Sequence, residues 1–407
     1  MSTALRDLIP NPTAAELELI ARYAMLPEDA RRERAFSGFA MNGLPHRRME
    51  RWKWTDFKQA LPAVETVKSA AAEDPLESIE AARFVFDGTD VRLPDLPKGV
   101  RVIEKAEPLA IDGAEDMPLM AMTAALAGTS KFSMLIIEVT EPVSVPLHFV
   151  FSAPGNELGL ARVKMVVRED AHIDVFESHL GGAGLNSALL EFDVKAGAKL
   201  QRTVFQDAAG DQAQAITSSA ILGAGAEMTQ SMLAFGAKVS RLETLIVHEG
   251  KKANVTLNTA YLSGHGKHVD VTSEVRHTDT DCITRQLTKG AVRNGGKGVF
   301  QGKFVVPRIV GQRTDADMQH NALLLENGAE VFAKPELEIY ADDVECAHGN
   351  TSGQMDDNAL FYMRQRGIPE ATAKAMLTEA FVAEALETAD ERVRDILLDA
   401  ARAWLKL

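Results

Sequence analysis

The fold is decided by four short segments that share one pattern: EDAHID (169–174), AGAKLQ (196–201), GAEMTQ (225–230) and KKANVT (251–256). Each segment places a polar or glycine-containing corner before an alternating strand. The alanines at these corners, at positions 171, 198, 226 and 253, are 27, 28 and 27 residues apart. A fixed period of about 20 to 50 residues with several strands per unit is typical of a stacked solenoid.

A second β-rich run lies between successive corners: Ser187–Val194, Ala215–Leu222, Arg241–Val247 and Val269–Arg276. Similar runs begin near Phe132 and precede the repeat: Met134–Val139, Leu147–Ser152, Ala161–Arg168 and His172–Glu177. Because strands and no helices fill each unit, we predict a parallel β-helix. The alternative is a β-sandwich with a strand every ~8 to 12 residues, and the regular steps favour the β-helix.

Helical patterns flank the β-rich region on both sides. Apolar residues recur at helical spacing between Pro12 and Pro27, and Glu28–Ala40 resembles a second helix. Residues 61–100 are rich in Ala, Pro and Glu, with a short strand at Arg83–Phe86, which indicates a loosely packed connection. We therefore divide the chain into an N-terminal helical segment (1–60), a connecting region with short strands (61–130), a β-helix core (131–353) and a C-terminal helical domain (354–407).

The C-terminal helices have recognisable ends. Asp356 is expected to N-cap Asp357–Arg366, and Gly367 to stop that helix. Pro369 begins the next helix, and a third spans Glu391–Leu405. The second helix carries a single apolar stripe: Ala373, Met376, Leu377, Ala380 and Phe381. We expect these helices either to cover the end of the solenoid or to leave a groove for a partner.

Two of the three tryptophans lie close together, at Trp52 and Trp54 in the segment ERWKWTDF (50–57). Tryptophan mostly supplies buried area. We therefore predict that this segment anchors the N-terminal arm on the body of the protein and is not a ligand site.

Composition narrows the class of function. The 407 residues carry a formal net charge of −14, which disfavours nucleic acid as a partner. No apolar run reaches the ~18 residues that a membrane span needs, so we expect a soluble, cytoplasmic protein without membrane contact. The two cysteines exclude a disulfide framework, suit a reducing compartment and cannot hold a four-cysteine cluster alone.

The stretch YADDVECAHGNTSG (340–353) contains the strongest chemical signal. In an extended strand alternate side chains share a face, so Val344, Cys346 and His348 should project together. A thiolate beside an imidazole is a soft ligand beside a borderline one. The alternative is a cysteine that packs as a small hydrophobe near a structural histidine.

Two other groups carry a weaker signal. A loosely spaced group of polar residues is better explained as a solvated rim than as a metal site: His265, His268, His277, Asp279, Asp281 and Cys282. Asn294–Gly298 lacks the order of a phosphate-binding loop and is predicted to be a turn. Neither a nucleophile elbow nor a dinucleotide-binding fingerprint occurs.

The C-terminal third resembles the SufB/SufD family of the SUF iron-sulfur cluster assembly machinery. The matching segments are QRTDA (312–316), NALLL (321–325), KPELEIYADDV (334–344), CAHGNTSG (346–353) and RGI (366–368). Weaker similarity covers most of the chain, including E-x-W-K-x-T at 50–55. The C-x-H-G string resembles the SufD branch, and the N-terminal half lacks the cysteines common in SufB. Three positions depart from the pattern: Ala347 replaces a common Ser, Asn350 a common Ala, and His320 another polar residue.

The resemblance implies N-terminal helices, a right-handed parallel β-helix and C-terminal helices. It implies pairing with SufB through the β-helix and binding of the ATPase SufC through the C-terminal helices, where we place the contact at Phe361, Met376, Leu377 and Phe381. Iron or an iron-sulfur cluster would be held transiently at Cys346 and His348 and shared with SufB. Reduced flavin is associated with the whole complex, and this sequence has no flavin motif. The chain itself would be a non-catalytic or accessory subunit, and a homodimer is an alternative state in isolation.

Three alternatives stay open. The chain could be a SufB-like cluster scaffold, or a purely structural solenoid in which Cys346 and His348 are replaceable. It could also be a β-helix carbohydrate-active enzyme with Asp342 and Asp343 as its acidic pair. However, adjacent residues on a strand point to opposite faces and cannot flank one glycosidic bond.

Overall fold

The described chain is dominated by two long, mostly parallel β-sheets. The computed structural model describes residues 9, 11–64, 69–88, 90–103, 117–127 and 134–406. The first strands are β1 (Ala82–Asp87), β2 (Asp90–Arg92), β3 (Val100–Val102), β4 (Leu135–Val139), β5 (Leu147–Ser152), β6 (Leu158–Val167), β7 (His172–Gly181), β8 (Leu185–Val194), β9 (Lys199–Gln206) and β10 (Ala213–Leu222). The later strands are β11 (Glu227–Ala234), β12 (Val239–His248), β13 (Asn254–Ser263), β14 (His268–His277), β15 (Ile283–Val292), β16 (Lys297–Val306), β17 (Asp315–Leu324), β18 (Glu330–Ile339) and β19 (Glu345–Gly353).

The helices lie before and after the main run of strands. They are α1 (Ala14–Tyr23), α2 (Ala30–Asn42), α3 (Phe57–Ala60), α4 (Pro118–Leu126), α5 (Asp357–Gln365), α6 (Glu370–Ala383) and α7 (Glu391–Lys406), with 3-10 turns at Glu50–Trp52 and Glu384–Leu386. No helix in the part of the chain that the structure describes is long and apolar enough to cross a membrane.

From β4 onward the strands alternate between the two sheets. Sheet A has the order β19-β17-β15-β13-β11-β9-β7-β5-β1-β2, and sheet B the order β18-β16-β14-β12-β10-β8-β6-β4-β3. Each strand of the repeat pairs in parallel with the strand two places along the chain, for example Asn254 with Ile283 through to Ser263 with Val292. This pairing forms a parallel β-solenoid of about eight turns. A β-sandwich built from antiparallel neighbours is excluded, and the predicted parallel β-helix with helical flanks is confirmed.

At each repeated alanine the chain turns a corner and enters a strand of sheet A. Ala171, Ala198, Ala226 and Ala253 immediately precede β7, β9, β11 and β13, and each has no exposed surface. A larger side chain there would meet the interior of the neighbouring coil, which is close-packed. Cys282 occupies the equivalent place before β15 and is also fully buried.

The interior of the solenoid mixes an apolar core with buried polar side chains. Inward-facing aliphatic and aromatic residues of both sheets form one continuous core from Ala82 to Met318. Inside it, Arg202 donates two hydrogen bonds to the carboxylate of Glu177, at 2.6 and 2.8 Å. Both charged side chains are completely buried, so their charges are compensated within the interior.

The N-terminal arm, residues 11–60, covers the outer face of sheet B together with helix α4. Apolar residues of α1, α2 and α4 pack on the first residues of strands β6, β8, β10 and β12. Trp52 is 1% exposed, and the guanidinium of Arg241 lies 3.9 Å from its ring centroid. The predicted aromatic anchor is therefore confirmed for Trp52.

The C-terminal helices cover the outer face of sheet A. Val393, Leu397 and Ala401 of α7 pack against outward-facing residues of strands β5 to β15. Just before α7, Thr388 accepts hydrogen bonds from Gln201 and Asn258, at 2.8 and 2.9 Å, and its hydroxyl lies 2.8 Å from that of Ser231 (β11). The expectation that these helices cover the end of the solenoid is wrong. They cover outward-facing apolar residues on the side of the solenoid, along sheet A.

The connecting region is partly built into the solenoid. The strand predicted at Arg83–Phe86 is confirmed as β1, which pairs in parallel with β5. Helix α4 was not predicted, and all nine of its residues are buried. Its sequence, PLMAMTAAL, is apolar on every side, so it lacks the amphipathic period that reveals a surface helix. The loosely packed connection was predicted for residues 61–100, and α4 lies beyond that range.

Candidate functional site

The last coil leaves one end of the solenoid open. In the described chain, β19 and β18 are the terminal strands of sheets A and B at this end. In β19 only Cys346 is not exposed, whereas nine of the ten residues of β14, in the middle of sheet B, are buried. An edge strand presents unpaired N–H and C=O groups that another chain can pair with. The open end is therefore a place where this fold can add a strand.

Cys346 and His348 lie in the row of β19 that faces the interior. By register, Cys346 pairs with Ala316 and His348 with Met318, and both partners are buried in the solenoid core. Cys346 packs against this core and is half-buried, while His348 is exposed. The expected shared face is thus found for Cys346 and His348, whereas Val344 precedes β19. His348 is exposed because no coil of the described chain covers it.

The thiol of Cys346 is not activated by its own chain. Burial, together with the charge of the nearby Asp315 carboxylate, raises the pKa of Cys346 above its ordinary value. The thiolate is the form that binds metal and attacks sulfur. A metal ion or a cation supplied by another subunit would favour that thiolate.

A chain of hydrogen bonds links the same row to the interior. The Tyr261 hydroxyl lies 3.0 Å from Nε2 of His320, and Nδ1 of His320 lies 2.7 Å from Oδ1 of Asn350. Because that Oδ1 can only accept, His320 donates from Nδ1 and its Nε2 accepts from Tyr261. The His320 ring also stacks on Phe300, at 4.6 Å between centroids. Two positions that depart from the family pattern, His320 and Asn350, are therefore hydrogen-bonded partners.

The described residues do not form a complete metal site. No group of three or more His, Cys, Asp or Glu side chains in this part of the chain is arranged to hold a metal ion. A thiol and an imidazole, the side-chain groups of Cys346 and His348, are of types that suit iron and sulfur chemistry. A tetrahedral site needs four ligands, so these two side chains alone would not complete one.

The loosely spaced group between His265 and Cys282 is not a single rim. His265 is exposed, but His268, His277 and Cys282 are buried, so the solvated-rim interpretation is wrong for these three. Burial raises the pKa of Cys282 to about 11, and its sulfur contacts the backbone carbonyl oxygens of Asp279 and Gly250. Cys282 is a corner residue of the coil and not a ligand.

Histidine 277 belongs to a buried pair that sequence reasoning missed. The rings of His248 and His277 stack at 4.8 Å, and the Thr284 hydroxyl lies 3.0 and 2.9 Å from their Nε2 atoms. Burial lowers the pKa of His277 to about 4 and that of His248 well below its ordinary value. His248 ends β12 and His277 ends β14, which are neighbours in sheet B. Their equivalent positions in the repeat were the sequence signal that could have identified the pair.

Two further sequence expectations concern turns. Asn294 and Gly295 form the turn predicted within Asn294–Gly298, and Gly295 has a φ of 71°. Asp342 and Asp343 lie in an exposed bend between β18 and β19 and not on a strand, so the opposite-face argument does not apply to them. The backbone of Asp343 is bound to Arg313 and Gln312, at 2.6 and 3.0 Å, which fixes the bend before β19.

The four residues predicted to contact SufC differ in exposure. Phe361 on α5 is 64% exposed and Met376 on α6 is 48% exposed. Leu377 and Phe381 are half-buried, and the Lys289 ammonium lies 4.5 Å from the Phe381 ring centroid. Tyr362, which is 59% exposed, was missed, although it directly follows Phe361 in the sequence. Phe361, Tyr362 and Met376 are therefore the exposed large hydrophobic residues of α5 and α6.

Fold and site together define an open-ended parallel β-solenoid whose last strand carries a thiol and an imidazole on one row. The family model described as SUF system FeS cluster assembly, SufBD core domain, matches residues 149–381. The chain belongs to this SufBD family of iron-sulfur cluster assembly proteins.

Individual relatives agree with the family assignment. The chain is 28% identical to the iron-sulfur cluster assembly protein SufD of Escherichia coli K12 over 367 residues, which covers 85% of each chain. It is 27% identical to a SufBD family protein of Synechocystis over 386 residues, covering 84% of this chain and 83% of the relative. A SufBD family protein of Mycobacterium leprae is 30% identical over 229 residues, covering 54% of this chain and 58% of the relative. The chain is therefore SufD-like over most of its length.

Proposed function

We propose that this chain is the SufD-like accessory subunit of a SufB–SufC–SufD complex and that it supplies half of a cluster assembly site. The observation that carries the proposal is the open last coil, where Cys346 and His348 share the inward row of an edge strand that pairs with β17 on one side only in the described chain. A strand of SufB that pairs beside β19 would bring further ligands to this row. Iron and sulfur are then the cargo of the shared site.

The raised pKa of Cys346 supports an assembly role that depends on the partner. At neutral pH a thiol with a raised pKa stays protonated, so the isolated chain is a poor sulfur nucleophile and a poor iron ligand. Imidazole binds metal in its neutral form, and His348 is exposed for such a contact. Assembly with a second subunit would thus both complete and activate the site.

The test is cluster formation by the co-expressed complex. His348→Ala and Cys346→Ser should each leave folding and association with SufB and SufC nearly unchanged while cutting iron and acid-labile sulfide content sharply. Thr351→Ala is the matched control, because Thr351 lies on the alternate row of the same strand and its hydroxyl donates to Oδ1 of Asn321, at 2.6 Å. Normal iron and sulfide in both variants of an intact complex would reduce the pair to structural residues.

The exposed helical surface is the proposed contact for SufC, whose ATPase activity this chain does not share. Phe361 and Met376 are large apolar side chains that the rest of the described chain leaves uncovered. Deleting all residues after Gly353 is a poor test, because it would also strip α7 from sheet A and expose that apolar face.

Point substitutions separate the two proposed contacts. Phe361→Ala combined with Met376→Ala should abolish co-purification of SufC and preserve pairing with SufB. Tyr340→Ala is the converse control, because this side chain is 59% exposed and directly follows β18, outside α5 and α6. Full SufC recovery with the double variant would show that the helical surface is not its binding site.

A further inference from the structure

A pocket of about 480 Å³ lies between the N-terminal arm and the outer side of sheet B. On the arm, Arg47, Lys53 and Trp54 line it, and on the solenoid Phe332 of β18 completes an aromatic wall. The rings of Trp54 and Phe332 stack at 5.8 Å with 17° between their planes. The volume falls in the range of small-molecule binding sites, which is about 300 to 1,000 Å³.

The pocket is lined by lysines from three successive turns of the solenoid. Lys238, Lys267 and Lys297 precede or begin β12, β14 and β16, so the parallel register places them along one side of the pocket. Lys267 contacts Asp207 at 2.6 Å, and Lys297 contacts Glu330 at 2.7 Å. Lys297 is the first residue of β16, directly after the turn at Asn294 and Gly295.

Positive charge remains after every ion pair is counted. Arg47 contacts Asp56 at 3.8 Å, so three of the five lining cations have a carboxylate partner. Lys53 and Lys238 have none among the described residues, and Lys53 lies 5.2 Å from the Trp54 ring centroid. Five cations against three carboxylates leave an excess of two positive charges in a protein with a net charge of −14.

A neighbouring pocket on the same face shows that such an excess is not general. This second pocket, of about 240 Å³, is lined by the same four strands, nearer their middle. Its lysines are neutralised, Lys303 by Glu338 at 2.7 Å and Lys334 by Glu336 at 3.1 Å. Of these two pockets, only the first therefore has uncompensated positive charge.

We propose that the pocket between the arm and sheet B binds a small phosphate-bearing anion through Lys53 and Lys238. Lysine binds phosphate as a compact point charge with three donors. An excess of two positive charges matches one phosphate group, and the half-buried face of Trp54 offers an apolar surface to an attached organic group. Free inorganic phosphates and phosphorylated organic molecules share this chemistry.

The test is calorimetric titration of the full chain at constant ionic strength with inorganic pyrophosphate and, separately, with adenosine monophosphate. We expect saturable binding of at least one of them with a stoichiometry near one. The variant Lys53→Gln with Lys238→Gln should weaken that binding at least tenfold. Lys303→Gln in the balanced pocket is the matched control and should leave the affinity unchanged.

The two probes distinguish the source of the phosphate. Tighter binding of adenosine monophosphate would identify a phosphorylated organic ligand, and equal or tighter binding of pyrophosphate an inorganic one. No saturable binding of either probe would overturn the proposal. An equal loss of affinity in Lys303→Gln would also overturn it, because the attraction would then come from total charge and not from this pocket.

Discussion

The buried pair of Glu177 and Arg202 illustrates what a single residue does inside the solenoid. Burial alone would raise the pKa of Glu177, but the Arg202 guanidinium lowers it to about 2, and His179 adds a hydrogen bond at 2.9 Å. Arg202 also donates to Ser218 at 3.0 Å. The pair is thus satisfied on both sides, and neither charge has access to water.

Removing one partner of this pair should be far more costly than removing both. Arg202→Met leaves the Glu177 carboxylate buried and unpaired, and we expect a loss of about 3 to 5 kcal/mol in the free energy of unfolding. Glu177→Gln combined with Arg202→Met should recover a large part of that loss. Urea unfolding at pH 7.5 measures both variants. A loss below about 1 kcal/mol in the single variant would contradict the assigned burial.

Among the elements, the N-terminal arm divides its residues between two tasks. Arg51, Trp52 and Thr55 face the solenoid, where Arg51 contacts Glu274 at 2.7 Å and Thr55 lies 3.1 Å from Nε2 of His268. Lys53 and Trp54 face the pocket described above. The segment ERWKWTDF is therefore both an anchor and one wall of a cavity.

The two neighbouring tryptophans should respond differently to truncation. Trp52→Ala removes a fully buried ring and its contact with Arg241, so we expect a loss of about 3 to 5 kcal/mol and earlier proteolysis within the arm. Trp54→Ala serves as the matched control and should cost less, because its ring is only half-buried. Urea unfolding with limited proteolysis compares them. Equal effects would show that the arm is not anchored through Trp52.

For the whole molecule, buried histidines set the dependence of stability on pH. Burial is the main cause that lowers the pKa of His148, His268, His277 and His320 to about 4 each. In the unfolded chain these groups take up protons as the pH falls through about 6.5, whereas the folded chain takes them up only near pH 4. Between these limits the unfolded state binds more protons, so stability decreases as the pH falls.

We therefore expect a steep loss of stability between about pH 6.5 and pH 4. Each of the four histidines contributes a slope of up to about 1.4 kcal/mol per pH unit in this window. His277→Gln should reduce the slope by about one such increment, whatever its effect at pH 7.5. Unfolding curves at pH 7.5, 6.0 and 5.0 provide the measurement. A stability independent of pH across this range would contradict the neutral, buried state of these rings.

Much of the fold could be predicted because period and corner chemistry are local properties. The corner alanines must be small wherever coils stack, so their spacing revealed the solenoid. Asp356 caps α5 by accepting from the Asn358 N–H at 2.8 Å, and Gly367 has a φ of 83°, both as the residue types indicate. Trp52 was correctly predicted as an anchor because a side chain of its size is usually buried.

The features that could not be predicted are the burial and exposure of single residues, because these depend on which outer surfaces other parts of the chain cover. Both faces of each sheet are covered in the middle of the chain, so the burial of β14 is almost continuous and polar residues such as His268 cannot be recognised as buried from their sequence. The shared face of Cys346 and His348 follows from their spacing alone. The exposure of His348 could not be predicted, because it depends on the absence of another coil over β19.

One residue ties three coils together. Gln201, Ser231 and Asn258, on β9, β11 and β13, all contact Thr388. In a stacked fold each coil otherwise contacts only its neighbours, and the ends can open while the middle stays closed. Amide hydrogens of these three strands should therefore exchange together as one cooperative unit, and those of β19 should exchange first. The last coil, which contains β19, can therefore open while the three coils that contact Thr388 stay closed.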